Sequence, residues 1–140
     1  MSLETFFGWS IAVFVVLCLL NFVLKQISRD YIKKLPASRQ DFANAYRSVM
    51  RVVVKNHRMF GFGALLLLPV HFMVVYLSEI LSLTGLISGA ALIATAGMGI
   101  YGFYLRRDYR SWWLTVHRLL AVVVVVAVIT HLFVKGYIFL

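Results

Sequence analysis

The sequence predicts an all-α membrane protein, a bundle of four transmembrane helices, and three observations predict it. The chain has 140 residues, 62% of them hydrophobic, and a mean hydropathy of +0.90, whereas a soluble domain is about half apolar. The excess is gathered into four blocks, each close to the roughly 20 apolar residues that an α-helix needs to cross a bilayer. The blocks are continuous rather than alternating in polarity. Lipid cannot satisfy backbone amides, so a span is a helix or part of a closed barrel, and continuous runs select the helix. The spans are expected at about 6–24, 57–77, 83–105 and 112–139, in one membrane domain with a basic connection over 25–56 and no attached soluble domain.

Span one follows "MSLET", which has Glu4 but no Lys or Arg, and leads into "NFVLKQISRD", with no small-residue cleavage site. It reads as a retained span rather than a signal peptide. Its Cys18 is the only cysteine. That excludes a CxxCH haem attachment, an iron–sulfur cluster and an intrachain disulfide, and leaves Cys18 as a small apolar residue. The connection then carries Lys25, Arg29, Lys33, Lys34, Arg39, Arg47, Arg51, Lys55 and Arg58. Within it Ser38 stands three residues before Asp41, a capping box. A helix opened there puts Phe42, Tyr46, Val49, Met50 and Val53 on one face and Arg47, Arg51 and Lys55 on another. This stretch is expected to be a basic extension of span two lying partly at lipid headgroups; docking of an acidic partner is the competing reading.

Span two contains Pro69, where a kink is expected. The connection to span three, "SEILSLTG", has Glu79 and no basic residue; the connection to span four has Arg106, Arg107 and Arg110. The positive-inside rule puts both basic connections in the cytoplasm and both termini outside, in the cytoplasmic (inner) membrane of a prokaryote. Trp112 and Trp113 open span four as an interfacial belt. The net charge of +9 follows from this topology. Because the charges flank spans, membrane lipid is the expected partner and nucleic acid is not.

The two halves of the chain look related. "RDY" occurs at Arg29–Tyr31 and Arg107–Tyr109, "YRS" at Tyr46–Ser48 and Tyr109–Ser111, and His-Arg at His57–Arg58 and His117–Arg118, in the same order. This suggests a duplicated helical hairpin in which spans two and four are equivalent.

The chain has four histidines, and they form two brackets, His57 to His71 and His117 to His131, the histidines of each standing 14 residues apart. Ionisable side chains inside a span are costly and usually functional. Fourteen residues are two heptads, so in a left-handed supercoil both histidines of a bracket face one seam, roughly 21 Å apart along the axis. Spans two and four run in the same direction, which sets His57 level with His117 and His71 level with His131. Zinc and copper sites usually take three or four ligands, often with thiolate or carboxylate. Haem brings four equatorial nitrogens and asks the protein only for axial ligands, and helices of a bundle can clamp it. The expectation is therefore an inner haem on His57 and His117 and an outer haem on His71 and His131. Arg58 and Arg118 can bind haem propionates. Gly61, Gly85 and Gly99 are candidates to give the macrocycle room, although small residues also simply let helices approach. Thr115 and Thr130 lie near the ligands and are expected to bond within their own helix.

In this pattern the chain resembles the four-helix, di-haem b-type membrane cytochromes, the haem-bearing core of quinol-oxidising cytochrome b and of ferric-reductase-type proteins. Those families place two histidines on each of two helices at closely similar separation. His57, His71, His117 and His131 match that pattern one by one, over spans two to four. The resemblance implies two non-covalent, bis-histidine haem b groups and electron transfer across the membrane. A redox protein or the quinone pool would be the partner, with the chain as carrier or as the membrane subunit of a quinol/quinone oxidoreductase. No quinone-site signature and no flavin or nicotinamide domain is visible, so a bound quinone and the oligomeric state stay open. Two other classes compete. A metal or proton transporter or sensor that uses the histidines predicts carboxylates or thiols within the spans. A non-redox structural subunit gives no reason for two equal spacings.

Overall fold

The computed structural model describes residues 2–78, 81–106 and 111–134. It has four helices long and apolar enough to cross a membrane. They are α1 (Leu3–Asp30), α2 (Gln40–Ser78), α3 (Leu83–Ile100), which continues as a π-helical stretch over Tyr101–Arg106, and α4 (Trp112–Phe133). No strand occurs among the described residues. Glu79, Arg107, Arg110, Lys135, the second "RDY" and residues 135–139 of the expected fourth span lie outside the described residues.

Two short 3-10 turns, Ile32–Lys34 and Ala37–Arg39, connect α1 to α2. Ser38 lies inside the second turn, and α2 starts at Gln40. The 39 residues of α2 make a rod of about 58 Å, far longer than a hydrocarbon core of about 30 Å. Its first turns are therefore the basic extension expected from the sequence. The helix runs unbroken through Pro69.

The burial pattern of α2 explains how the bundle is assembled. Two of its residues are buried, Ala43 and Ala64, and among the half-buried ones Tyr46, Met50, Val53, His57, Phe60, Leu67 and His71 fall in line with them. They follow one another in alternating steps of three and four, which is a heptad seam. Two residues expected on this seam, Phe42 and Val49, are instead 60% exposed. Ala43, at 0% exposure, takes the inward position, because a small side chain lets neighbouring backbone come close. Tyr46 stays inward and donates from its hydroxyl to the Leu24 carbonyl at 2.8 Å, tying the base of α2 to α1.

The helices pack as two hairpins, α1 against α2 and α3 against α4, and the hairpins approach each other less closely. The core that joins them is Ile11 and Val15 from α1, Ala64 from α2, Leu92 from α3 and Val124 from α4. Ala64 is seven residues from both His57 and His71, and Val124 is seven from both His117 and His131. Leu92 is likewise seven from Gly85 and from Gly99. The bundle is thus layered by heptads, an apolar middle layer lying between two layers that each hold two histidines.

The tryptophans separate. Trp112 is 53% exposed, as an interfacial residue would be, but Trp113 is 6% exposed. Its indole lies against Gly102, where a Cβ would overlap the ring. Trp113 is a packing residue of the α3–α4 hairpin, a correction to the expectation that both belong to the interfacial belt.

Candidate functional site

The four histidines meet as two pairs. The ring centroids of His57 and His117 are 6.3 Å apart, with the ring planes at 87°. His71 and His131 stand fourteen residues further along the same two helices, at one level of the bundle. With 57 beside 117 and 71 beside 131, α2 and α4 run in the same direction. Among the described residues no group of three or more His, Cys, Asp or Glu side chains converges, so the imidazoles stand as pairs rather than as one polydentate cluster.

Each imidazole of α4 is steered by α3. Nδ1 of His117 is 2.9 Å from the Thr95 carbonyl oxygen. A carbonyl can only accept, so Nδ1 carries the proton and Nε2 keeps its lone pair. His131 Nδ1 is 3.1 Å from Thr84 Oγ1, and that hydroxyl donates to the Val134 carbonyl at 3.1 Å. The Thr84 hydroxyl also meets Ser82 Oγ at 2.7 Å; in the tautomer of His131 that donates from Nδ1 to Thr84, Nε2 is again the free nitrogen.

The imidazoles of α2 are placed differently. Nδ1 of His57 and Nδ1 of His71 are buried with no hydrogen-bond partner. The backbones of Cys18 and Glu4, fourteen residues apart on α1, lie beside these two rings. The Cys18 thiol donates to the His57 carbonyl at 3.6 Å. Cys18 is therefore more than an apolar filler, since it touches α2 at the level of a histidine pair. Glu4 also acts electrostatically on His71. It shares the His71 end of the bundle because α1 and α2 are antiparallel.

Glycines back three of the four rings. A Cβ at Gly85 would stand 3.0 Å from His131 Cε1, one at Gly99 would stand 3.2 Å from His117 Cε1, and one at Gly8 would stand 3.3 Å from His71 Cε1. Gly85 and Gly99, expected to clear space for a cofactor, clear it for the imidazoles themselves. Gly8 was not foreseen, although it precedes Val15 by seven residues just as Gly85 precedes Leu92. Gly8 of α1 against His71 of α2 and Gly85 of α3 against His131 of α4 are corresponding contacts in the two hairpins. Gly61 differs: nothing lies within 4 Å of where its Cβ would be.

The two arginines reach across the bundle. The Arg58 guanidinium sits over the Phe103 ring at 4.0 Å, and that of Arg118 over Phe22 at 5.9 Å. Each joins its own hairpin to the other and puts a cation beside the His57–His117 layer. Thr130 donates to the Val126 carbonyl of its own helix at 2.8 Å, and Thr115 is exposed.

The donor set can be tested against a shared metal centre. Imidazole nitrogens bind metals at about 2.0 Å, and a ring nitrogen lies about 1 Å from its ring centre, so two opposed imidazoles on one metal have centroids about 6 Å apart. The 6.3 Å between His57 and His117 fits that geometry, and the free Nε2 atoms of α4 are the correct donors. The residues present fit a group that brings its own equatorial ligands and takes one imidazole from each side. Compared with known proteins, the chain matches no family model, no curated protein and no solved structure.

Proposed function

We propose that this chain is a di-haem b-type membrane cytochrome that carries electrons from one face of a membrane to the other. The observation that carries the reading is the pairing of His57 with His117 at 6.3 Å, with His71 and His131 two heptads further along the same two helices. His57 and His117 hold the inner haem iron, and His71 and His131 the outer. Each haem, when bound, supplies a one-electron iron couple. The protein's part is placement and insulation. Thr95 and Thr84 fix the tautomers of His117 and His131, which aims each Nε2 at its partner helix. Arg58 and Arg118 offer cations to propionates at the basic end.

The middle layer accounts for the selectivity of such a conductor. Val15, Ala64, Leu92 and Val124 are all less than a tenth exposed, and none carries a polar side-chain atom. Ions and protons therefore meet an apolar barrier between the two histidine layers. That barrier disfavours a metal or proton transporter, which needs a continuous polar path. The layers are roughly 21 Å apart, most of the depth of a hydrocarbon core of about 30 Å. The positive-inside rule sets the His57–His117 layer on the cytoplasmic side of a prokaryotic inner membrane, with both termini outside. Exposed side chains such as Leu66, at 72%, and Met73, at 55%, face lipid. The partner is a redox protein or the quinone pool, and the chain serves as carrier or as the membrane subunit of a quinol/quinone oxidoreductase.

The test uses vesicles with ferricyanide trapped inside, a membrane-impermeant reductant outside and an ionophore to balance charge. Ferricyanide bleaches in vesicles that hold the native chain and not in those that hold the His57→Ala variant. An intact haem spectrum with no bleaching overturns the reading. A finer prediction concerns Thr84. Thr84→Val removes the acceptor for His131 Nδ1–H, and loss of such a partner weakens metal binding by about tenfold or more. Titration of haem into the apoprotein should show this loss at one site only, and Thr84→Ser should restore it.

A further inference from the structure

We infer that the basic end of the bundle holds a binding site for a phosphate ester, and that its occupant is the headgroup of an anionic phospholipid. A cavity of about 580 Å³ opens there between the hairpins, lined by Lys25, Arg29 and Lys33 on one side and by Arg118 on the other. Lys25 and Arg29 are four positions apart on one face of α1, and Lys33 joins them at the cavity from the turn that follows. Like charges at that spacing repel one another, and the fold adds Arg118 from the opposite hairpin to them.

The local acid does not neutralise this group. Asp30 pairs with Arg29 at 3.4 Å and accepts from the Gln26 amide at 2.7 Å, while Arg29 also donates to the Gln26 carbonyl at 2.7 Å. That is the one ion pair among the described residues. Among the described residues no carboxylate pairs with Lys25, Lys33 or Arg118, so their charge is open to an anion.

The rest of the lining identifies that anion. Phe22 and Met50 also border the cavity, and Phe22 is 55% exposed. Lys25 closes the apolar block of α1, so the cations lie at headgroup depth with apolar surface directly beyond them on the same helix. A soluble phosphate would use the cations and leave the exposed part of Phe22, whose other contact is with Arg118, uncovered. An anionic lipid uses both, its phosphate among the cations and its acyl chain along the exposed apolar face. Basic pockets between transmembrane helices are suited to such headgroups. The inference does not depend on the haem reading.

The experiment measures thermal unfolding and the visible spectrum of the full chain in neutral detergent. The additions are phosphatidylglycerol, phosphatidylcholine with the same acyl chains, or glycerol phosphate. Phosphatidylglycerol should raise the midpoint by about 4 °C or more, and the other two should not. In the Arg29→Gln/Lys33→Gln double variant that rise should vanish, while the midpoint in detergent alone and the spectrum stay as in the native chain. An equal rise in variant and native chain overturns the site. An equal rise with glycerol phosphate alone keeps the phosphate chemistry but overturns the lipid as its source. Loss of haem absorbance in the double variant, with no lipid effect in either protein, overturns the inference by assigning these cations to the inner haem's propionates.

Discussion

The His71→Ala variant is expected to bind half as much haem per chain as the native protein, and the half that remains should keep its spectrum. His57 faces His117 at 6.3 Å, and His117 is held by the Thr95 carbonyl at 2.9 Å and backed by Gly99. None of these groups touches His71. Between the two pairs lie Ala64 and Val124, only 1% and 3% exposed, in a close-packed layer that has no reason to rearrange when an imidazole one heptad away is removed. His131, left alone, keeps its bond to Thr84 but offers one axial ligand where two are needed. Haem is counted as its pyridine complex against protein determined by amino-acid analysis. Loss of all haem would mean that the pairs are not separate sites. Retention of all haem would mean that His71 is not a ligand.

Gly99→Leu is expected to remove the other haem, while Gly97→Leu leaves both. A Cβ at position 99 already stands 3.2 Å from His117 Cε1 and 3.4 Å from its Nδ1. The branched end of a leucine must displace the imidazole and break its bond to Thr95. Overpacking of this kind costs about 1–3 kcal/mol, and the lost hydrogen bond adds about 1 kcal/mol. Together they amount to a loss of affinity of roughly 30- to 1,000-fold. At position 97 nothing lies within 4 Å of a Cβ, so the same substitution two residues away meets no imidazole. Haem titration of the two apoproteins checks the contrast. Equal weakening by both variants would trace the effect to leucine in the helix rather than to His117.

Much of this architecture was legible because it rests on periodicity. Long apolar runs mark the four helices, and two separations of 14 residues place the histidines of each bracket on one heptad seam. The level pairing of 57 with 117 and 71 with 131 then follows from two helices that run the same way. Gly85 and Gly99 stood out because they repeat the ligand spacing.

What escaped the sequence has physical causes of its own. The group that orients His117 is a backbone carbonyl, that of Thr95, and every residue has one. Thr84 looks like an ordinary first-turn threonine until α4 brings His131 beside it. The burial of Trp113 depends on Gly102 within a π-helical stretch, and no apolar period announces such a local widening. The seam of the α2 extension was displaced by one residue, from Phe42 to Ala43. Close approach of backbones there favours the smaller side chain over the more apolar one.

The central claim is tested most directly by the absorption and near-infrared magnetic circular dichroism spectra of the native chain, purified after expression with ample haem supply. Two haems per chain, both low-spin with the signature of two imidazole ligands and a sharp b-type α-band on reduction, are the result expected from paired histidines. A colourless chain, or a chain whose haem is high-spin with one histidine, would contradict it.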